Sequence, residues 1–141
     1  IGGCAFYGCS GFTGTLVIPD SVTNIGDSAF MYCFELMNVT IGSGVVNIGD
    51  HVFYGCSELT SVTIGSGVES IGERAFDGCC WQLSIYYTGT AEEWDAITVD
   101  TDNSQLIFAT RYYYIEDEAN LPDNGGNYWH YGEDGLPHVV W

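Results

Sequence analysis

The sequence repeats itself with a period of 23 or 24 residues, and that period limits the possible folds more than any other feature. Ile1-Gly2-Gly3-Cys4-Ala5-Phe6-Tyr7-Gly8-Cys9 aligns with Ile25-Gly26-Asp27-Ser28-Ala29-Phe30-Met31-Tyr32-Cys33, then with residues 48–56 and 71–79, at offsets of 24, 23 and 23 residues. A second half also repeats, as Leu36-x-x-Val39-x-Ile41 and Leu59-x-x-Val62-x-Ile64. A unit this short cannot bury its own apolar face, so successive units must stack as coils.

Each slot of the repeat has a physical reading. Val39-Thr40-Ile41 and Val62-Thr63-Ile64 alternate apolar and polar residues, as a half-buried strand does. One strand per coil makes neighbouring strands parallel, and Leu-x-x-Val-x-Ile has the form of the strand half of a leucine-rich repeat. Gly42-Ser43-Gly44 and Gly65-Ser66-Gly67 turn the chain after the strand. Asp27 and Asp50 stand where a carboxylate would cap a short helical turn. Gly55 and Gly78 stand where a left-handed residue would end it. Phe30, Phe53 and Phe76 point inward, as do Cys33, Cys56 and Cys79. The first block holds one extra residue, placed in Thr13-Gly14-Thr15. The fold expected is an α/β leucine-rich-repeat solenoid, with short helical turns on the side opposite the strands and a C-terminal β-hairpin. Its short parallel strands are centred near Leu16, Val39, Val62 and Ile85.

The pattern Ile-Gly-x-x-Ala-Phe-x-x-Cys-x-x-Leu-x-x-Val-x-Ile resembles the BspA-like leucine-rich repeats of bacterial surface proteins over residues 1–89. Residues 85–115 are similar to the terminal segment that often follows such repeats, and residues 127–141 to a tail of gut bacterial members. The resemblance implies secretion or surface display and adhesion to host proteins or other cells. It carries over no catalytic motif and no ligand residue. Arg111 departs from the pattern, which calls for an apolar side chain there.

Beyond residue 79 the repeat decays. Gln82 stands where Leu is expected, leaving Trp81 or Leu83 to fill the gap. Thr90-Ala91-Glu92-Glu93 has the form of a capping box, opening a short helix with Trp94 and Ile97 on one face. Three segments follow: repeats over 1–89, a capping segment over 90–115 and a tail over 116–141. The tail reads as an acidic loop over 116–126, then a hairpin about Gly132-Glu133-Asp134-Gly135 that pairs His130 with Pro137. The chain opens on Ile1-Gly2 in mid-pattern, as a mature fragment of a longer protein would.

The formal net charge is −17, and Arg74 and Arg111 are the only cations besides histidine. Such a chain cannot neutralise phosphates, which argues against nucleic acid as a partner. The longest apolar runs fall short of the roughly 20 residues of a membrane span, so membrane insertion is not expected. Six cysteines invite a disulfide framework, but Cys9, Cys33, Cys56 and Cys79 share one slot and read as a reduced, buried column, with a bridge between neighbouring coils as the alternative. Cys4 falls in a variable, outward slot and Cys80 in none. His51, His130 and His138 lack zinc-ligand spacing. Asp100-Thr101-Asp102-Asn103 begins like a calcium loop but has Gln105 and Arg111 where Gly and Glu are needed, and Asn103 reads instead as a turn or helix cap. The motifs thus point to no metal and no cofactor. The sequence also carries no nucleophile elbow or phosphate loop, so no enzyme is expected.

The candidate binding residues are Thr40, Thr63 and Tyr86, between the buried strand positions, with Asn38, Ser61 and Ser84 beside them. Together they form a neutral strip on the exposed sheet face, and Tyr128 and Trp129 in the tail offer a second surface. The function expected is a secreted or surface module that binds a protein or glycan partner. The alternative is a passive spacer, or an accessory region of a larger secreted protein.

Overall fold

The computed structural model describes residues 1–122, 126–133, 135 and 137–140. Asp123, Asn124, Gly125, Asp134, Leu136 and Trp141, which the sequence reading assigns to the loop and hairpin, lie outside the described residues. The chain winds as a solenoid with two parallel ladders. The larger sheet begins with β1 (Gly14–Ile18), β3 (Leu36–Ile41), β5 (Ser61–Ile64) and β7 (Ser84–Tyr87). A narrower sheet runs beside it: β2 (Asn24–Ile25), β4 (Asn47–Ile48), β6 (Ser70–Ile71) and β8 (Thr98–Val99). The larger sheet continues through β9 (Thr110–Tyr114) to β10 (Tyr128–Tyr131) and β11 (Pro137–Val140).

Register follows the repeat. Leu16, Val39, Val62 and Ile85 stand side by side, and all pairings from β1 to β10 are parallel. The register shifts between Gly14, which pairs with Leu36, and Thr15, which pairs with Asn38, so the residue passed over there is Met37 of β3 and not one of the first coil. The narrower ladder has no counterpart in the sequence reading: Ile25, Ile48 and Ile71 are buried and pair as part of two-residue strands. Asn47 donates to Asn24 at 2.8 Å and Ser70 donates to Asn47 at 2.7 Å, tying the edge of that ladder from coil to coil.

The helical turn of each coil takes the form of consecutive i→i+3 turns. Between them, the free N–H groups donate to the next coil, Phe30 N to Val52 O and Phe53 N to Ala75 O. Asp27 and Asp50 do not cap their own turns. Their carboxylates accept from the next coil, Asp50 N at 3.0 Å and Glu73 N at 2.9 Å, because the orphan donors nearest them belong to that coil. Gly55 adopts φ +72 and its missing Cβ leaves room for the Tyr32 ring, so both conformation and contact require glycine there.

The core is a set of columns. Phe6, Phe30, Phe53 and Phe76 stack with centroids 5.1, 5.5 and 5.3 Å apart. Beside them the thiols of Cys33, Cys56 and Cys79 each donate to a phenylalanine carbonyl one coil back, at 3.2 Å, and all six cysteines are free. Cys9, expected to be buried, is only half-buried. Burial pushes the Cys56 thiol up to about 12 and raises Cys33 and Cys79 as well, with the neighbouring thiols adding to it.

The last coil is closed by side chains. Thr90 and Glu93 form the expected capping box, with contacts of 3.2 and 2.8 Å, at the start of α1 (Ala91–Asp95). Trp94 and Ile97 are buried from it, and Leu83, not Trp81, fills the place left by Gln82. Asn103, before α2 (Ser104–Phe108), makes no side-chain cap. It is buried and stands in for the absent next coil, accepting from Phe76 N at 3.3 Å and donating to Gly72 O at 2.9 Å. Arg111 does lie opposite Ile85, in an inward slot. The slot tolerates it because the guanidinium sits 5.7 Å over the Trp94 ring and donates to Ile107 O at 3.2 Å. No helix among the described residues is long and apolar enough to cross a membrane.

Two outcomes follow from the columns. Phe53→Ala removes a ring packed from both sides and should cost about 3–5 kcal/mol in urea denaturation. The cysteine column gives a pH dependence. Thiols held neutral in the fold ionise first in the unfolded chain, so the unfolded state binds fewer protons above its own thiol range. Stability should be unaffected by these groups below about pH 8.5 and fall steadily toward pH 12, as read by denaturation midpoints across that range.

Candidate binding surface

The alternation of β3, β5 and β7 turns one set of side chains inward and the other to a common outer face. On that face the register sets Val17, Thr40, Thr63, Tyr86 and Tyr112 in one row and Thr15, Asn38, Ser61, Ser84 and Thr110 in the next. All six residues of the sequence-predicted strip therefore stand together on one rigid sheet, half-buried. The second row is partly tied to itself, since Ser61 donates to Asn38 at 2.7 Å and Asn38 donates to Thr15 at 3.5 Å.

The tail alters this face. β10 pairs parallel to β9 and β11 antiparallel to β10, with His130 opposite His138. The sequence reading sets His130 against Pro137; the register differs by one because the connection runs one residue longer than the turn over 132–135. The ring of His130 lies 2.7 Å from a Glu118 carboxylate oxygen, which ties the acidic connection to the hairpin.

Tyr128 and Trp129, read as an exposed second surface, are buried. Trp129 is 0% exposed: its indole N–H donates to Tyr87 O at 3.0 Å, and its ring meets Tyr86 edge-on at 5.7 Å. Tyr86 also stacks on Tyr112 at 5.1 Å, so both neighbours of its ring are intramolecular and it is no free-standing anchor. The sequence shows an aromatic-rich hairpin, but its return onto the sheet depends on contacts with no periodic signal.

The most exposed aromatic on this face among the described residues is instead Tyr131, 49% accessible and 4.9 Å from the Trp129 ring. With Thr40, Thr63, Thr88, Ser43 and Asp20 it lines a hollow of about 260 Å³. Asp20 accepts from Ser43 N at 2.7 Å and Ser43 Oγ at 3.1 Å, which fixes its carboxylate at the rim. Burial raises the Tyr131 phenol, and Tyr114 and Asp20 add to it. The hollow thus offers neutral hydroxyls, one aromatic wall and one carboxylate, a set suited to hydrogen bonding and apolar contact.

Three comparisons bear on what such a surface belongs to. A family model described as BspA type leucine rich repeat region matches residues 1–96 in six copies. Among solved structures, a leucine rich cell surface protein from Faecalibacterium prausnitzii is similar at TM-score 0.58 and 29% identity, over 72% of this chain and 33% of that one. A leucine-rich repeat protein from Bacteroides ovatus is similar at TM-score 0.53 and 29% identity, over 80% of this chain and 30% of that one. The chain therefore spans about a third of the length of each. No curated protein sequence matches it.

If Trp129 is what holds the hairpin to the sheet, Trp129→Ala should free the hairpin without unwinding the coils. Cleavage between β9 and β10 in limited proteolysis should then rise at least about tenfold, because it tracks the open population. Far-UV dichroism should stay near that of the parent.

Proposed function

Because the chain belongs to the BspA-type leucine-rich repeat family, we propose that it is a non-catalytic, secreted or surface-displayed module that binds a protein or glycan partner on its sheet face, in the manner of an adhesin. The observation that carries this reading is the hollow lined by Tyr131 and by the hydroxyls of Thr40, Thr63 and Thr88. Stacked coils hold those hydroxyls at fixed spacing, so a partner meets a preorganised surface and little ordering entropy opposes binding. In this proposal Thr40 and Thr63 make direct contact, Asn38, Ser61 and Ser84 supply the polar margin, and Tyr86 supports the aromatic wall from beneath. The cell-surface description of the Faecalibacterium protein supports display outside the cell. The charge of −17 favours neutral or basic partners and disfavours nucleic acid.

One observation favours the alternative of a passive spacer or accessory region. Asn38 and Ser61 are already bonded to each other, and Tyr86 is packed within the chain, so part of the row serves the solenoid itself.

An array of host extracellular proteins and glycans separates the two. Binding that Tyr131→Ala and Thr63→Arg each weaken by about 1.4 kcal/mol or more, a tenfold change, with unaltered melting, is the expected result. Binding that survives both substitutions would remove the hollow from consideration, and an array without a hit would leave the spacer reading standing.

A further inference from the structure

We propose a second binding site, at the turn side of the last coil, for a neutral carbohydrate held between Trp81 and Phe108. It stands independently of the sheet-face hollow.

Trp81 and Phe108 are 86% and 85% exposed, the two most accessible large apolar side chains among the described residues. The rest of the chain treats aromatics differently, stacking them in columns through the core and along the surface, as in Tyr7, Tyr32 and Tyr54. The exposure of Trp81 is imposed by its position. Its slot in the two preceding coils holds Glu35 and Glu58, both exposed, so the coil path points this side chain at water. In the first coil the same slot holds Gly11, also exposed, so a tryptophan there adds a large apolar face where the other coils carry glycine or carboxylate. The neighbouring slot changes too: where Leu36 and Leu59 point inward, Gln82 is exposed while Leu83 is buried in its stead. Two consecutive positions thus leave the repeat pattern at the same place and deliver an indole and an amide outward.

Phe108 arrives from the other side. It ends α2, whose Leu106 is buried as the helix's anchor, and it faces the same groove. Trp81, Gln82, Ser104, Gln105 and Phe108 line an open groove of about 540 Å³. None of the five carries a formal charge, in a chain of net charge −17.

This lining suits one ligand chemistry. The flat C–H face of a pyranose packs on an aromatic face, and two separate aromatics can take two rings or two faces of one. Each glutamine amide presents a donor pair and an acceptor together, which matches adjacent hydroxyls on a sugar, and the Ser104 hydroxyl, 3.0 Å from Gln105 Oε1, extends that polar row. Acidic glycans are disfavoured, since the site offers no cation and the surrounding field is negative. A strand-forming peptide would call for a free strand edge, which none of the five lining residues offers, and a proline-rich peptide is the competing occupant that the test includes.

The test uses the intact chain and a panel of neutral hexasaccharides of glucose, mannose and xylose. A sialylated oligosaccharide and a proline-rich decapeptide complete it. Calorimetry is the affinity readout, and the emission of exposed Trp81 is a second one, shifting to the blue on stacking. Expected is binding of at least one neutral hexasaccharide and none of the sialylated one. Trp81→Ala and Phe108→Ala should each weaken it about tenfold or more, and Tyr131→Ala should leave it unchanged. Neither aromatic is buried, so melting should stay at the parent value in both variants. The proposal is overturned if no neutral sugar binds up to about 10 mM, if binding persists in Trp81→Ala, or if only the peptide binds. Loss of sugar binding in Tyr131→Ala alone would assign it to the sheet face instead.

Discussion

Everything in this molecule depends on one coil lying on the next with each residue over its counterpart. Backbone donors that point along the solenoid axis have partners only in the adjacent coil, as Phe53 N does in Ala75 O and Gly65 N in Ile41 O. Gly67 shows how close that approach is, since a Cβ there would overlap the Ser43 carbonyl oxygen. Hydrogen bonding and core packing thus demand the same spacing, and where the register shifts, between Gly14 and Thr15, Met37 of the facing strand is passed over. The phenylalanine, cysteine and isoleucine columns are the side-chain expression of that backbone ladder.

A stack of this kind is incomplete at an end, because the last coil exposes both its axial donors and its core face. Here the two needs are met by different residues. Asn103 supplies the carbonyl and amide that another coil would have offered, within hydrogen-bonding distance of Phe76 N and Gly72 O. Trp94, carried by a helix that its capping box holds in place, covers the apolar face, and Arg111 lies across it. The hairpin then closes the larger sheet, with Trp129 sealed against Tyr86.

The surfaces available to partners are by-products of these constraints. The sheet face is flat and regular because its residues are spaced by the coil, and it becomes a hollow only where Tyr131 rises beside it. The turn side gains aromatic character where the repeat weakens, at Trp81 and Gln82, because a position no longer needed to match a neighbouring coil is free to serve another purpose.

What the amino-acid sequence determined by itself was whatever recurs. Leu16, Val39, Val62 and Ile85 in one register, Phe53 inside and Thr63 outside could all be read before any coordinates, because a contact made at a constant offset leaves a constant pattern. The shared face of Asn38, Ser61, Ser84, Thr40, Thr63 and Tyr86 was legible for the same reason. Tertiary structure alone decided whatever happens once. The role of Asn103 in closing the last coil and the burial of Trp129 against Tyr86 each join residues far apart in the chain with no second instance to reveal the rule. A periodic contact is written repeatedly in the sequence, whereas a single long-range contact exists only after the chain has folded and its free energy has been weighed against every other arrangement.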